Sequence, residues 1–215
     1  MDGLMQLVEA LGKTAVSCPN LLNPYASPSP HADSRRHNLY HYLQYMHAQS
    51  PTLLLVGEAP GYRGCRLTGI PFTSPQTLQA FLQPRIPQLR MIDEWPKIQR
   101  EATATIMWEC LENGRFLPLL WNTLPFHPHQ PGHPQSNRTP TNKELEYGRI
   151  FLHHLRHLFP TIKTIAAIGK KAHTTLTHWQ LPAQYIRHPS HGGKTNFRTK
   201  LIPLLHQHNK PPTPD

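Results

Sequence analysis

Cysteine is scarce in this chain: Cys18, Cys65 and Cys110 are the only three in 215 residues. An odd number of widely spaced thiols excludes a disulfide scaffold and fits a reducing compartment, so a cytoplasmic location is expected. Acid is scarce too. Twelve Asp and Glu face 22 Lys and Arg, a balance of +10 with His neutral. That excess favours a polyanionic partner. Long apolar runs are missing, which excludes a membrane span of about 18 residues or more. The opening MDGLMQLVEALGKTA carries Asp2 and no basic segment, unlike a secretory signal. Its Leu4, Leu7, Val8 and Leu11 share one face of a predicted amphipathic helix.

Histidine and proline, by contrast, are plentiful, at 16 and 24 residues. No HExxH or Cys-x-x-Cys accompanies the histidines, and the clusters FHPHQPGHP and FLHHLRHLF lack a third partner of metal-ligand spacing. No metal is expected. One domain over residues 1–215 is expected, with an N-terminal helical extension over 1–50 and a frayed tail over 208–215.

Strands and helices alternate along the chain. Strands are predicted at 51–57, 115–126, 160–169 and 183–190 from their apolar runs and flanking turns. Helices are predicted at 75–83, 97–114, 141–158, 170–179 and 195–207, and after a cap at Asp33 or Ser34. Thr141 with Glu144 matches a capping box. The pattern implies an α/β fold of three layers, with a central, mainly parallel sheet of about four strands. Ligand sites in such sheets lie beyond the strands' carboxyl ends. There this chain delivers GEAPG after the first strand, WNTLPFHP at the second and RHPSHGGK at the fourth.

Each rim residue has a specific use and a bland one. Gly57, Ala59, Pro60 and Gly61 form a stiff loop whose glycines permit close backbone approach. Glu58 is the lone acid of that loop. Phe72 is a core residue or a platform on which a base stacks. Asn122 satisfies a turn or reads an imide edge with its donor and acceptor. His188 packs, or sits beside Ser190, His191, Gly192, Gly193 and Lys194 in a loop that approaches a phosphate backbone. Lys194 and Arg198 either face solvent or meet phosphates.

Taken together and in order, VGEAPG with GIPF, LWNTLPFHPHQPGHPQSNRTPTNKELEYG, TIKTIAAIGKKAHTTL and HPSHGGKTNFR resemble the uracil-DNA glycosylase superfamily, specifically its GEAPG-bearing, thermophile-type branch. The resemblance covers about residues 50–205. It implies a glycosylase that flips uracil out of DNA and hydrolyses the N-glycosidic bond, initiating base excision repair. It implies Glu58 and His188 as catalytic residues, with Gly57, Ala59, Pro60, Gly61, Phe72 and Asn122 binding the nucleotide. Ser190, His191, Gly192, Gly193, Lys194 and Arg198 would contact DNA. The partner is uracil-containing DNA, no organic cofactor is needed, and a monomer is expected. The chain departs from the pattern in three ways, the first being that the basic YRGCR stands where the branch often has an acid. Ala59 stands where the best-known branch has an aspartate. The branch usually holds an iron–sulfur cluster on four cysteines, so three imply that the cluster is lost. Two rivals remain: a module of the same fold that binds uracil or abasic DNA without turnover, and an enzyme acting on a free nucleotide.

Overall fold

The computed structural model describes residues 2–112, 114 and 116–208. Helix α1 (Gly3–Lys13) buries Leu4, Leu7, Val8 and Leu11, the predicted stripe. Asp2 caps it, accepting from the Met5 N–H at 2.7 Å. Strand β1 (Leu21–Leu22) leads to α2 (Ala32–Gln49). Residue 31, not Asp33 or Ser34, precedes α2. His31 stands there at φ 60° without a side-chain cap, and Asp33 instead pairs with Arg36 inside the first turn.

Strand β2 (Leu53–Gly57) is buried throughout. A long excursion follows: α3 (Cys65–Thr68), α4 (Pro75–Thr77) running into a π-helical turn at Leu78–Leu82, then α5 (Ala102–Leu111). The helix expected at 97–114 is therefore shorter, because residues 97–101 form an extended approach to it. Strand β3 (Leu119–Asn122) is shorter than the predicted 115–126, and His127–Pro128 forms a separate strand, β4. Helix α6 (Asn142–Leu158) opens on the predicted Thr141–Glu144 capping box. Strand β5 (Thr164–Ile168), α7 (Lys170–His178), β6 (Gln184–Ile186) and α8 (Lys194–His208) complete the chain. His208 belongs to α8, and the rest of the expected frayed tail lies outside the described residues.

Four strands form the central sheet in the order β3-β2-β5-β6, every pair parallel. The chain moves one way from β2 to β3 and the other way from β3 to β5. Right-handed crossovers then place α5 and α6 on opposite faces, which gives the three layers. The core runs unbroken from β2 through Trp108, Phe126 and Phe197. Residues 2–50 contribute to that core: Leu7, Leu11, Leu39 and Leu43 are fully buried, and α1 packs on α2 and α6. The short pair β1–β4 is antiparallel and ties this segment to the proline-rich loop.

Candidate active site

Parallel strands of one sheet deliver their carboxyl ends to one rim, and a cavity of about 350 Å³ opens there. Its wall holds Gly57, Glu58, Ala59, Pro60 and Gly61 after β2, Asn122 at the end of β3, Ile168–Lys171 after β5, and His188 and Ser190 after β6. Phe72 lines it as well. The structure thus brings together the sequence-predicted Gly57–Gly61, Phe72, Asn122, His188 and Ser190.

Gly57 explains itself by its neighbours. Register pairs Gly57 with Asn122 across β2 and β3. A Cβ on Gly57 would lie 2.6 Å from Asn122 Oδ1 and 2.7 Å from Phe72 Cζ. Only glycine lets the amide and the ring meet over the strand end. Phe72 is buried and holds a left-handed backbone, φ 55°, rare for a large side chain. Trp108 donates its indole N–H to the Phe72 carbonyl at 3.0 Å and fixes that conformation. Strained backbone of this kind gathers at functional sites. Asn122 is buried, and its Nδ2 faces Cys65 Sγ at 4.0 Å, which leaves the amide poorly satisfied by protein.

The loop after β2 is clamped on two sides. Thr123 donates from its hydroxyl to the Glu58 carbonyl at 2.7 Å, and the Leu124 N–H donates to it at 3.0 Å. His127, fully buried, faces the Pro60 carbonyl with Nδ1 at 2.8 Å and the Pro134 carbonyl with Nε2 at 3.2 Å. Asn137 accepts the Tyr62 N–H at 3.0 Å. The proline-rich loop therefore braces the GEAPG loop, which is how its length is used.

Glu58 has one carboxylate oxygen, Oε1, buried without a hydrogen-bond partner. Burial raises its pKa, opposed by the Lys171 charge and the Thr139 hydroxyl. His188 is fixed by its neighbour: Ser190 donates its backbone N–H to Nδ1 at 3.2 Å, and its hydroxyl lies 2.7 Å from the same nitrogen. Nδ1 is an acceptor, so the ring proton sits on Nε2. Burial, then the nearby His191, lowers the His188 pKa and keeps the ring neutral. Gly193 and Gly192 shape the rest of the loop: a Cβ on Gly193 would strike the His188 carbonyl, and Gly192 has φ 73°.

Lys194 and Arg198 do not line the cavity. Both pair with Glu109 of α5, at 3.1 Å and 2.5 Å. Several site residues escaped the sequence reading. Lys170 and Lys171 open α7 directly after β5 and are exposed at the rim. The strand-end rule that found the other loops would have found this one. Cys65, Asn137, Arg138 and Glu101 also line the cavity, but they come from loops and short helices that carry no strand-end signal.

The three cysteines sit apart, on the segment before β1, in α3 and in α5. They cannot supply four thiolates, and no three His, Cys, Asp or Glu among the described residues gather to hold a metal. The residues therefore do not fit an iron–sulfur cluster. No helix among the described residues is long and apolar enough to cross a membrane.

A model of the uracil DNA glycosylase superfamily matches residues 43–209. Among solved structures, wild-type SMUG2 of Pedobacter heparinus superposes with a TM-score of 0.69 over 97% of this chain and 99% of that one, at 16% identity. Wild-type UNG of Nitratifractor salsuginis gives a TM-score of 0.44 at 14% identity, covering 94% of this chain and 95% of that one. No curated protein matches.

Proposed function

The chain belongs to the uracil DNA glycosylase superfamily, and from that premise we propose that it is a monofunctional glycosylase that extrudes uracil from DNA and hydrolyses its N-glycosidic bond without a metal cluster. The observation that carries this reading is the pairing of Asn122 with Phe72 across Gly57. A flat apolar ring and an amide held only by a weak contact to Cys65 match one flat base with an imide edge. The amide donor faces O4 of uracil and the amide oxygen accepts from N3–H.

Bond cleavage leaves negative charge on the base and positive charge on the sugar. A neutral His188 supports the first need, because Nε2–H is free to donate to a base oxygen as charge builds there. Glu58 supports the second. Its carboxylate lines the cavity, where it accepts a hydrogen bond from the attacking water and opposes the sugar cation. Ala59 removes one carboxylate from the loop, so Glu58 is the acid that the loop offers. The exposed Lys170 and Lys171 bring positive charge to the rim, where backbone phosphates would pass.

The test is turnover on an oligonucleotide with a single uracil, read by alkaline strand cleavage, for the wild type and Asn122→Asp. Wild-type excision is expected, and the variant should lose at least about tenfold, since a carboxylate oxygen replaces the donor to O4. Tight binding of uracil DNA with no strand cleavage would favour the non-catalytic rival. An Asn122→Asp enzyme of undiminished activity would remove Asn122 from base reading.

A further inference from the structure

Glu101 stands at the entrance to α5, some forty residues beyond the GEAPG loop, and it does not cap the helix that it precedes. Its carboxyl turns into the cavity instead. There it fills the space left by two missing side chains. A Cβ on Gly61 would collide with Glu101 Oε1, and one on Gly64 would collide with Oε2. Both glycines make room for this carboxyl. Its other neighbour is Cys65, whose thiol pKa is raised first by burial and then by the Glu101 charge. Cys65 in turn faces Asn122. Asn122, Cys65 and Glu101 therefore run along one wall.

No cation or hydrogen-bond donor among the described residues pairs with the Glu101 carboxyl. The surrounding ionisable groups are otherwise engaged. Arg66, next to Cys65, pairs with Glu94, and Arg138 pairs with Glu144. Glu58, His188 and Lys171 line the same cavity. Glu101 is only partly exposed, and a carboxyl withdrawn from water without a partner favours its protonated form.

We propose that Glu101 is a base-contacting residue whose neutral carboxylic acid donates its O–H to a carbonyl oxygen of the extruded base, beside the amide of Asn122. The proposal rests on the glycosylase reading above and adds a group to it. The donor serves twice. It recognises the base in the ground state, and it strengthens as the departing base becomes anionic. No proton is transferred. Once ionised, the same group would set a negative oxygen against a negative leaving group. Burial pushes the Glu101 pKa up to about 7. Excision should therefore hold below neutrality and fall above it, about tenfold per pH unit, until an unassisted rate is reached.

The experiment compares wild type, Glu101→Gln and Glu101→Ala from pH 6 to 9. One readout is single-turnover excision. The other is affinity for DNA carrying a non-cleavable 2′-fluoro-2′-deoxyuridine, relative to the same DNA with a tetrahydrofuran abasic site. Gln keeps a donor at every pH, so its alkaline fall should vanish in both readouts. Ala should lose about tenfold or more at pH 6. Thermal melting confirms that each variant folds. If the wild type prefers the fluorouridine DNA and excises uracil, but Gln keeps the wild-type alkaline fall, Glu101 is overturned and the glycosylase reading stands. If the wild type excises nothing, yet its preference for fluorouridine DNA falls at high pH and that of Gln does not, turnover is overturned and the base contact stands. A wild type that neither excises uracil nor prefers the fluorouridine DNA overturns both, and one that excises without an alkaline fall in either readout overturns Glu101 alone.

Discussion

His188 shows how one backbone contact sets the chemistry of a side chain. The Ser190 N–H donates to Nδ1, so the neutral ring carries its proton on Nε2. Burial penalises a charged ring first and the nearby His191 does so second, which is why the pKa falls. On the proposed reading, the ring acts on the leaving base and not on the DNA backbone. His188→Ala is therefore expected to slow single-turnover excision about 10²–10³-fold. Its affinity for uracil-containing DNA should change by no more than a few fold. Rate and affinity falling together would assign His188 to binding. A similar separation of roles holds for the glycines. Gly57 serves Asn122 and Phe72, whereas Gly61 and Gly64 serve Glu101.

Helix α6 holds the rim in place through one close approach. A Cβ on Gly148 would run into the Thr123 carbonyl, part of the turn that clamps Glu58. Alanine is intrinsically better than glycine inside a helix by about 1 kcal/mol. The clash is with backbone, which cannot rotate away, so overpacking at about 1–3 kcal/mol is expected to win. Gly148→Ala should lower the melting temperature and, by pushing the Glu58 turn, lower excision more than overall stability alone would. A variant as stable as wild type would show that α6 slides freely on β3. The start of α6 is secured separately. Arg138 pairs with the Glu144 carboxylate of the capping box at 2.5 Å and also donates to the carbonyls of Asn20 and His129. One buried ion pair thus ties the helix start, the proline-rich loop and the N-terminal segment together.

At the scale of the whole molecule, +10 charges on 215 residues make DNA binding depend on salt. Its two basic clusters should not contribute equally. Lys170 and Lys171 are exposed at the cavity rim. Lys194 and Arg198 share the Glu109 carboxylate, so two cations and one anion leave a net of about one charge. In a salt series, neutralising Lys170 and Lys171 together should flatten the slope of log affinity by about two, and neutralising Lys194 alone, which leaves a neutral Arg198–Glu109 pair, by no more than about one. Unchanged slopes in both variants would mean that DNA runs over another face.

The sequence by itself determined the α/β class, the parallel sheet, the α6 capping box and most of the rim. Those features rest on local signals: apolar runs, caps, and loops at strand ends. It also located Gly57, Glu58, Asn122 and His188, because a parallel sheet brings strand ends together whatever lies between them, and Phe72 through the GIPF stretch. Strand lengths were overestimated at β3, where an apolar run continues past the last ladder bond into the turn that holds Glu58. The placement of Glu101 and the role of Lys170 and Lys171 were decided by the tertiary structure. So were the service of the proline-rich loop as a brace and the engagement of Lys194 and Arg198 with Glu109. Each depends on contacts between segments far apart in the chain, set by how α5, α6 and α8 pack against the sheet. No periodicity or spacing records that packing.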